Sequence, residues 1–471
     1  MQAFRYKDIE YSEVMFSELD NILRVDAEYF QGAYLRLLNV LKKKDCKLAQ
    51  EFAYITDGIH SSIDFDENSN INLISAKSPK ENIFDLTSNS FISLKQHEEN
   101  SRTELKKGDV ILSTVGTIGN CAVVDESVLP ANADRHVGII RIQRLFSPYY
   151  LASFLLSKYG RFQTIRESTG NVQLNLFIIK LNKLRIPLLS KSFQITIENL
   201  VKEAHQKIRK CKLLYQDAEN LLLEELGLKD WQLEDSLYSE YYLSESFGAT
   251  GRLDAEFFQS KYDQFDKIIK SYNGGCCKIS DCFNQNKKEF EKTKDGFNYI
   301  EISDIDIADG KANYNFILTN DLPANAKIKA QKGDIIVSKV RPYRGAVSII
   351  DFDVDMLIVS SAFTVLTEKF NSLINKETLK VLLRSYVFKE LLLKYNTGAS
   401  YPVIKDKDVL NIDIPIISKQ IQYDIKQFLH KNYTFRVESE RLLHIAKQIV
   451  ERAVETSEEE ALSLIEQNGL T

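Results

Sequence analysis

The chain has 471 residues, 44% apolar and 27% charged, and a net charge of −5 at pH 7. Such a composition is that of an ordinary soluble protein of two or three domains, and its negative balance excludes binding through bulk positive charge, so any nucleic-acid contact must come from local basic patches. No apolar run approaches the ~20 residues of a membrane span, the opening MQAFRYKDIEYSE lacks the layout of a signal peptide, and six cysteines without a CxxC spacing imply reduced thiols in the cytoplasm.

In chain order, a short helix is expected around Asp26, leading into a β-rich globule. Val110–Val115 and Ala122–Val124 read as strands around the turn Gly116-Thr-Ile-Gly119. An amphipathic helix follows over Tyr149–Ile165, and the dipeptide Ile186–Pro187 ends the globule. Gln194 to Leu226 reads as one long helix. Its apolar positions Ile197, Val201, Ala204, Ile208, Cys211, Tyr215, Ala218 and Leu222 alternate in steps of four and three, the heptad seam of a coiled coil. Gly227 to Gly251 is a linker.

The plan then repeats. RVDAEYFQ at Arg24–Gln31 returns as RLDAEFFQ at Arg252–Gln259, an offset of 228. Thr169–Gly170 and Ile186–Pro187 return at the same offset as Thr397–Gly398 and Ile414–Pro415, and Gln194/Ile197 returns as Gln422/Ile425. KGDVILSTVG at Lys107 matches KGDIIVSKV at Lys332, so the copies differ by small insertions. A second short helix is expected around Asp254, strands at Ile335–Val340 and Ala346–Ile350, and an amphipathic helix at Lys376–Tyr395. Another long helix runs from Gln422 to about Ala453.

The expected fold is α+β: a tandem pseudo-repeat of two β-rich α/β globules separated by two long helices that form an antiparallel coiled coil. The domains are 1–187, 188–235 (central helix), 236–415 and 416–471 (distal helix). Asn432 would fix the register of the helix pair as a buried polar residue. Phe428, Phe435, Leu442 and Ile449 form a seven-residue stripe beside the seam, free to dock another protein. The acidic run Glu455–Glu460 caps or frays the end.

Catalytic motifs are missing. No G-x-G or Walker-type loop occurs, none of the eight prolines is followed by Pro or Asp, and the six histidines show no HExxH or Cys/His spacing. This leaves no recognisable cofactor cradle, metal site or catalytic constellation, and no cofactor is expected. What remains are loops. Lys339, Arg341, Tyr343 and Arg344 place three cations beside an aromatic, suited to phosphate contact and base-edge readout; the bland alternative is a solvated hairpin. In the first copy, His60, Ser61, Ser62, Thr114, Thr117, Asn120, Asn132, Arg135 and His136 are the candidates.

This arrangement resembles the specificity subunit of type I restriction–modification systems. The residues carrying it are KGDVILSTVGTIGN (Lys107–Asn120), KGDIIVSKVRPYRG (Lys332–Gly345), the doubled TG…IP and Gln-x-x-Ile landmarks, and DGIHSS at Asp57–Ser62. The resemblance implies two target recognition domains, each reading one half of an interrupted, asymmetric site in double-stranded DNA. The helices would act as ruler and docking surface for two methyltransferase subunits, which bring adenine methylation, joined by a restriction subunit. The chain itself would be non-catalytic. The second copy lacks the DG-x-H loop. Alternatives are a coiled-coil protein scaffold, an enzyme with an unrecognised site, and the recognition subunit of a related methylation-based defence system.

Overall fold

The computed structural model describes residues 12–469 apart from 17, 18, 20–23, 88, 171, 172, 230, 235, 237, 293 and 398–400. The expected landmark Gly398 lies outside the described residues. These residues form a mixed helix and sheet structure in two compact units, one within 1–208 and 436–471, the other within 209–435.

In the first unit, Ala53–Asp57, Val137–Ile142, Val110–Ser113 and Cys121–Val123 form an antiparallel sheet in that order. The strand Val110–Ser113 is buried along its whole length because both sheet faces are covered. Val110 and Leu112 enter one apolar cluster, with Phe154, Leu155 and Phe162. Ile111 enters another, with Ile74, Ala131 and Ile139. A second sheet joins Ser90–Ile92, Ile71–Ile74 and Ala131–Ala133, the last pair parallel. The Lys-Gly-Asp turn before Val110 is fixed by Gly108 at φ 90°, a left-handed position that favours glycine, and by Asp109, whose carboxylate accepts from Lys106 N at 2.8 Å and pairs with Arg141.

In the second unit, Phe283–Asn286, Phe363–Glu368, Ile335–Ser338 and Val347–Ile349 form an antiparallel sheet in that order. Ile335 and Val337 face a cluster with Leu382 and Phe388, and Ile336 faces one with Ile300 and Val359. A second sheet contains Gly296–Ile300 parallel to Leu357–Ser360. Gly333 sits at φ 93°, and the Asp334 carboxylate accepts from Gln331 N at 3.1 Å. The expected linker carries a packed residue: the Trp231 ring lies 5.7 Å from that of Phe265.

Several expectations need correction. The helix expected over Tyr149–Ile165 is two, Pro148–Leu156 and Lys158–Glu167, broken at Ser157. Ser157 is extended and its hydroxyl caps Gly160 N. A Cβ on Gly160 would lie 2.3 Å from Leu155 Cα, so the corner requires glycine. The helix expected over Lys376–Tyr395 is likewise Lys376–Arg384 and Tyr386–Lys394, broken at an extended Ser385. Among the described residues no helix includes Asp26 or Asp254. Turns at 27–30 and 255–258 stand there, and helices begin at Gly32 and Ser260. Asp26 accepts from Tyr29 N at 3.0 Å, the local bonding by which Asp competes with helix. Ile186–Pro187 and Ile414–Pro415 lie in short strands, paired with Cys46–Leu48 and Cys276–Lys278.

The long helices run over Lys191–Glu225 and Lys419–Glu455. In the first unit, Ile197, Val201 and Ala204 are buried with Ala446, Val450 and Ala453, and Ser439 Oγ donates to Ala204 O at 2.9 Å. In the second, Tyr215, Ala218 and Leu222 are buried with Ile425 and Leu429. The stripe offered for docking is not free. Leu442 and Ile449 are 2% and 0% exposed inside the core. Phe428 packs against the second unit's core, and Phe435 is half-buried with the Lys210 ammonium 5.6 Å from its ring. A straight helix drifts ~20° per heptad against a strict seven-residue repeat, so a stripe that starts at the rim turns inward. The acidic run begins a further helix, Glu458–Gln467, capped by Ser457, with three glutamates in the first turn.

Candidate nucleic-acid interface

In the first unit two loops are locked together through their backbones. Ile59 N donates to Ala133 O at 2.8 Å. Gly58 is required there, since a Cβ would lie 2.1 Å from Asp134 O and 2.2 Å from Ala133 O. Arg102 clamps the same loop, donating to Asp57 Oδ1 at 3.1 Å, to Gly58 O at 3.1 Å, and to Thr56 Oγ1. His60 Nε2 lies 2.6 Å from Asp57 Oδ2. Burial pushes the Asp57 carboxyl up, but hydrogen bonds from His60 and Arg102 outweigh it and hold the group below its ordinary value. On the partner loop, His136 Nδ1 lies 3.0 Å from Asp134 Oδ2, and Arg135 Nε donates to His136 Nε2 at 3.4 Å. His60, Ser61, Ser62, Arg135 and His136 therefore ride on one braced loop pair, with His60, Ser61, Ser62 and Arg135 exposed.

The other candidates of this unit have different surroundings. Asn132 is 0% exposed: its amide donates to Asn100 O and Thr103 Oγ1, and its oxygen meets His97 Nδ1. It braces the interior and cannot reach a base edge. Thr114 is buried, with its backbone bonded to His136 O and Leu176 N. Thr117 is exposed and donates to Ala76 O at 3.0 Å; Asn120 accepts from Arg161 at 3.2 Å.

In the second unit the basic loop is equally built. Arg341 adopts φ 48°, rare for a side-chain-bearing residue. Its N donates to Pro402 O at 2.8 Å, and its guanidinium sits 4.8 Å from the Tyr401 ring centroid. Pro342–Arg344 form a short turn closed by Gly345 at φ 66°. Arg344 and Tyr343 are exposed. Lys339 is otherwise engaged: its ammonium pairs with Asp406 at 2.9 Å, and Thr364 donates to the same carboxylate at 2.8 Å. Burial raises the Asp406 carboxyl, and Lys339 with Thr364 brings it below its ordinary value. Arg341 and Arg344, with Tyr343, are the members of the sequence-predicted group that present charge and a ring at the surface.

Sequence reasoning missed Arg102, Tyr401 and Arg384, which act across 45, 60 and 39 residues of chain. Among the described residues no group of three His, Cys, Asp or Glu is placed to hold a metal, and no helix is long and apolar enough to cross a membrane.

No protein-family model matches the chain. Over 107 residues it is 32% identical to the specificity subunit of the type I restriction enzyme HindI from Haemophilus influenzae, a match covering 22% of this chain and 23% of that relative. The chain thus matches about a quarter of that relative's length. Among solved structures, the S subunit of a type I restriction–modification system from M. genitalium superposes with TM-score 0.41 and 13% identity, covering 87% of this chain and 94% of that one. The HsdS subunit from Thermoanaerobacter tengcongensis gives TM-score 0.27 and 15% identity, covering 88% and 96%. Superpositions this loose assign nothing by themselves. The 107-residue match to a type I specificity subunit is a sequence similarity over less than a quarter of either chain.

Proposed function

We propose that this chain is the non-catalytic specificity subunit of a type I restriction–modification system. Its two units read the two halves of an interrupted, asymmetric site in double-stranded DNA. Methyltransferase subunits supply the adenine chemistry, and a restriction subunit completes the complex. The observation that carries the reading is the same strand order in the four-stranded antiparallel sheet of each unit, with a Lys-Gly-Asp turn before the corresponding strand. Each Lys-Gly-Asp turn has its aspartate accepting from a backbone N–H three residues earlier, and the buried glutamines bond alike. Gln194 donates to Leu189 O and accepts from Ser147 N; Gln422 donates to Ile417 O and accepts from Asn375 N. Against this shared frame the exposed loops differ, with His60 and Arg135 in one unit and Arg341 and Arg344 in the other.

The reading includes a tandem duplication and an antiparallel coiled coil between the long helices, supported by the bonds Ser439 to Ala204 and Asn432 to Cys211, whose partners run in opposite directions. With Leu442 and Ile449 buried, partner docking on the distal helix falls to other residues. The experiment is DNA binding by the chain assembled with its methyltransferase partner, titrated in salt. A reader that neutralises several phosphates loses affinity with a slope of about −0.9 per contact in log K against log salt. A flat dependence would favour a protein scaffold.

A further inference from the structure

In the second unit the carbonyl of Gly345, which closes the basic loop, is taken up by a buried guanidinium. Arg384, the last residue of Lys376–Arg384 and 8% exposed, donates Nη1 to Gly345 O at 2.7 Å and Nη2 to Ile307 O at 3.0 Å. Its Nε donates to the Tyr215 hydroxyl at 2.6 Å. Tyr215 is itself 8% exposed on the seam of the helix Lys191–Glu225. One side chain thus joins the long helix, the segment around Ile307 and the base of the basic loop. The planar guanidinium offers donors in a fixed fork, which a lysine cannot reproduce. The loop is confined from another side by Lys389, since a Cβ on Gly345 would lie 3.1 Å from Lys389 Cδ.

We propose that Arg384, oriented by Tyr215, is a positioning residue that fixes the Arg341–Arg344 loop for base discrimination. The inference rests on the DNA-reading function proposed above. A buried arginine with three oriented acceptors holds one loop geometry, and Arg341 and Arg344 then approach the duplex from a fixed base rather than a mobile one. Among the described residues the first unit shows no such strut. The position 228 earlier is Leu156, buried in the apolar core, and there Arg161 holds Asn120 beside Gly119 at 3.2 Å. The strut therefore serves one half-site only.

The test uses the chain assembled with its methyltransferase partner and duplex oligonucleotides carrying the site mapped for the wild type, each with a single base changed. Arg344→Ala identifies the half that the basic loop reads. Tyr215→Phe removes one hydroxyl and keeps the seam ring; Arg384→Lys keeps the charge and loses the fork. Each should reduce discrimination in that half about tenfold, as for loss of one hydrogen bond to a charged group. Discrimination in the other half, and the rate at saturating matched DNA, should stay within about twofold. If Arg344→Ala relaxes one half and Tyr215→Phe and Arg384→Lys leave it unchanged, the strut is refuted while the DNA-reading function stands. Equal loss in both halves would also refute it, as a general defect. A wild-type complex that methylates no bipartite site would remove the function and the inference together.

Discussion

Asn432 donates its side-chain amide to the carbonyl of Cys211 at 2.7 Å, at a position 9% exposed on the helix seam that also carries the buried Ile425 and Leu429. A polar residue in a helix seam fixes register at some expense of stability. Asn432→Leu should therefore lose no more than about 1 kcal/mol in chemical denaturation. Asn432→Asp should lose about 2 kcal/mol or more, because its carboxylate would face a carbonyl with no donor. Similar losses in the two variants would contradict a register role.

Leu442 and Ile449 lie in the core while Phe435 is half-buried. Leu442→Ala and Ile449→Ala should each cost about 2–5 kcal/mol, the range for a large core side chain cut to alanine. Phe435→Ala should cost less than either. Thermal unfolding of the three variants measures this, and the reverse order would return the stripe to a surface role.

Gln194 and Gln422 were legible as landmarks in the sequence because each satisfies several backbone groups at the head of a long helix, which an apolar residue cannot do. Lys-Gly-Asp was legible for a similar reason: a left-handed glycine and a carboxylate that returns to the backbone leave a fixed spacing. Asn132 was misread because a polar residue between strands suggests a loop, whereas His97, Asn100 and Thr103 bury and satisfy it. The breaks at Ser157 and Ser385 were missed because apolar periodicity continues across them; each serine turns to extended backbone, and only Ser157 caps the helix that follows. Arg102, Tyr401 and Arg384 act through contacts distant in sequence, which local pattern cannot carry.

Asp57 supplies a pH test. Its folded carboxyl is held below the ordinary value by His60 and Arg102 against the effect of burial. A depressed folded value means that its contribution is present above the unfolded pKa of about 3.9 and disappears as pH falls through the lower folded value. In urea unfolding, wild type should exceed Asp57→Asn above about pH 4, and the two should converge as pH falls below it. A margin that persists undiminished below about pH 3 would contradict the clasp.

Arg341→Ala and Arg344→Ala should each weaken binding of the matched site by about 1–3 kcal/mol and relax one base position, the signature of bidentate readout. A phosphate contact would instead weaken all sequences alike and reduce the salt slope by about 1. Binding isotherms on matched and mismatched duplexes distinguish the two, and no change in either would assign the loop to solvent.

The most direct measurement is long-read mapping of methylated adenines in a host carrying this chain with the proposed methyltransferase partner, before and after residues 259–415 are replaced by the equivalent segment of a relative. The native chain should give one interrupted, asymmetric motif, and the replacement should change one half of it and leave the other half intact. Methylation lacking a bipartite motif, or both halves changing together, would contradict a protein that reads DNA with two separate units.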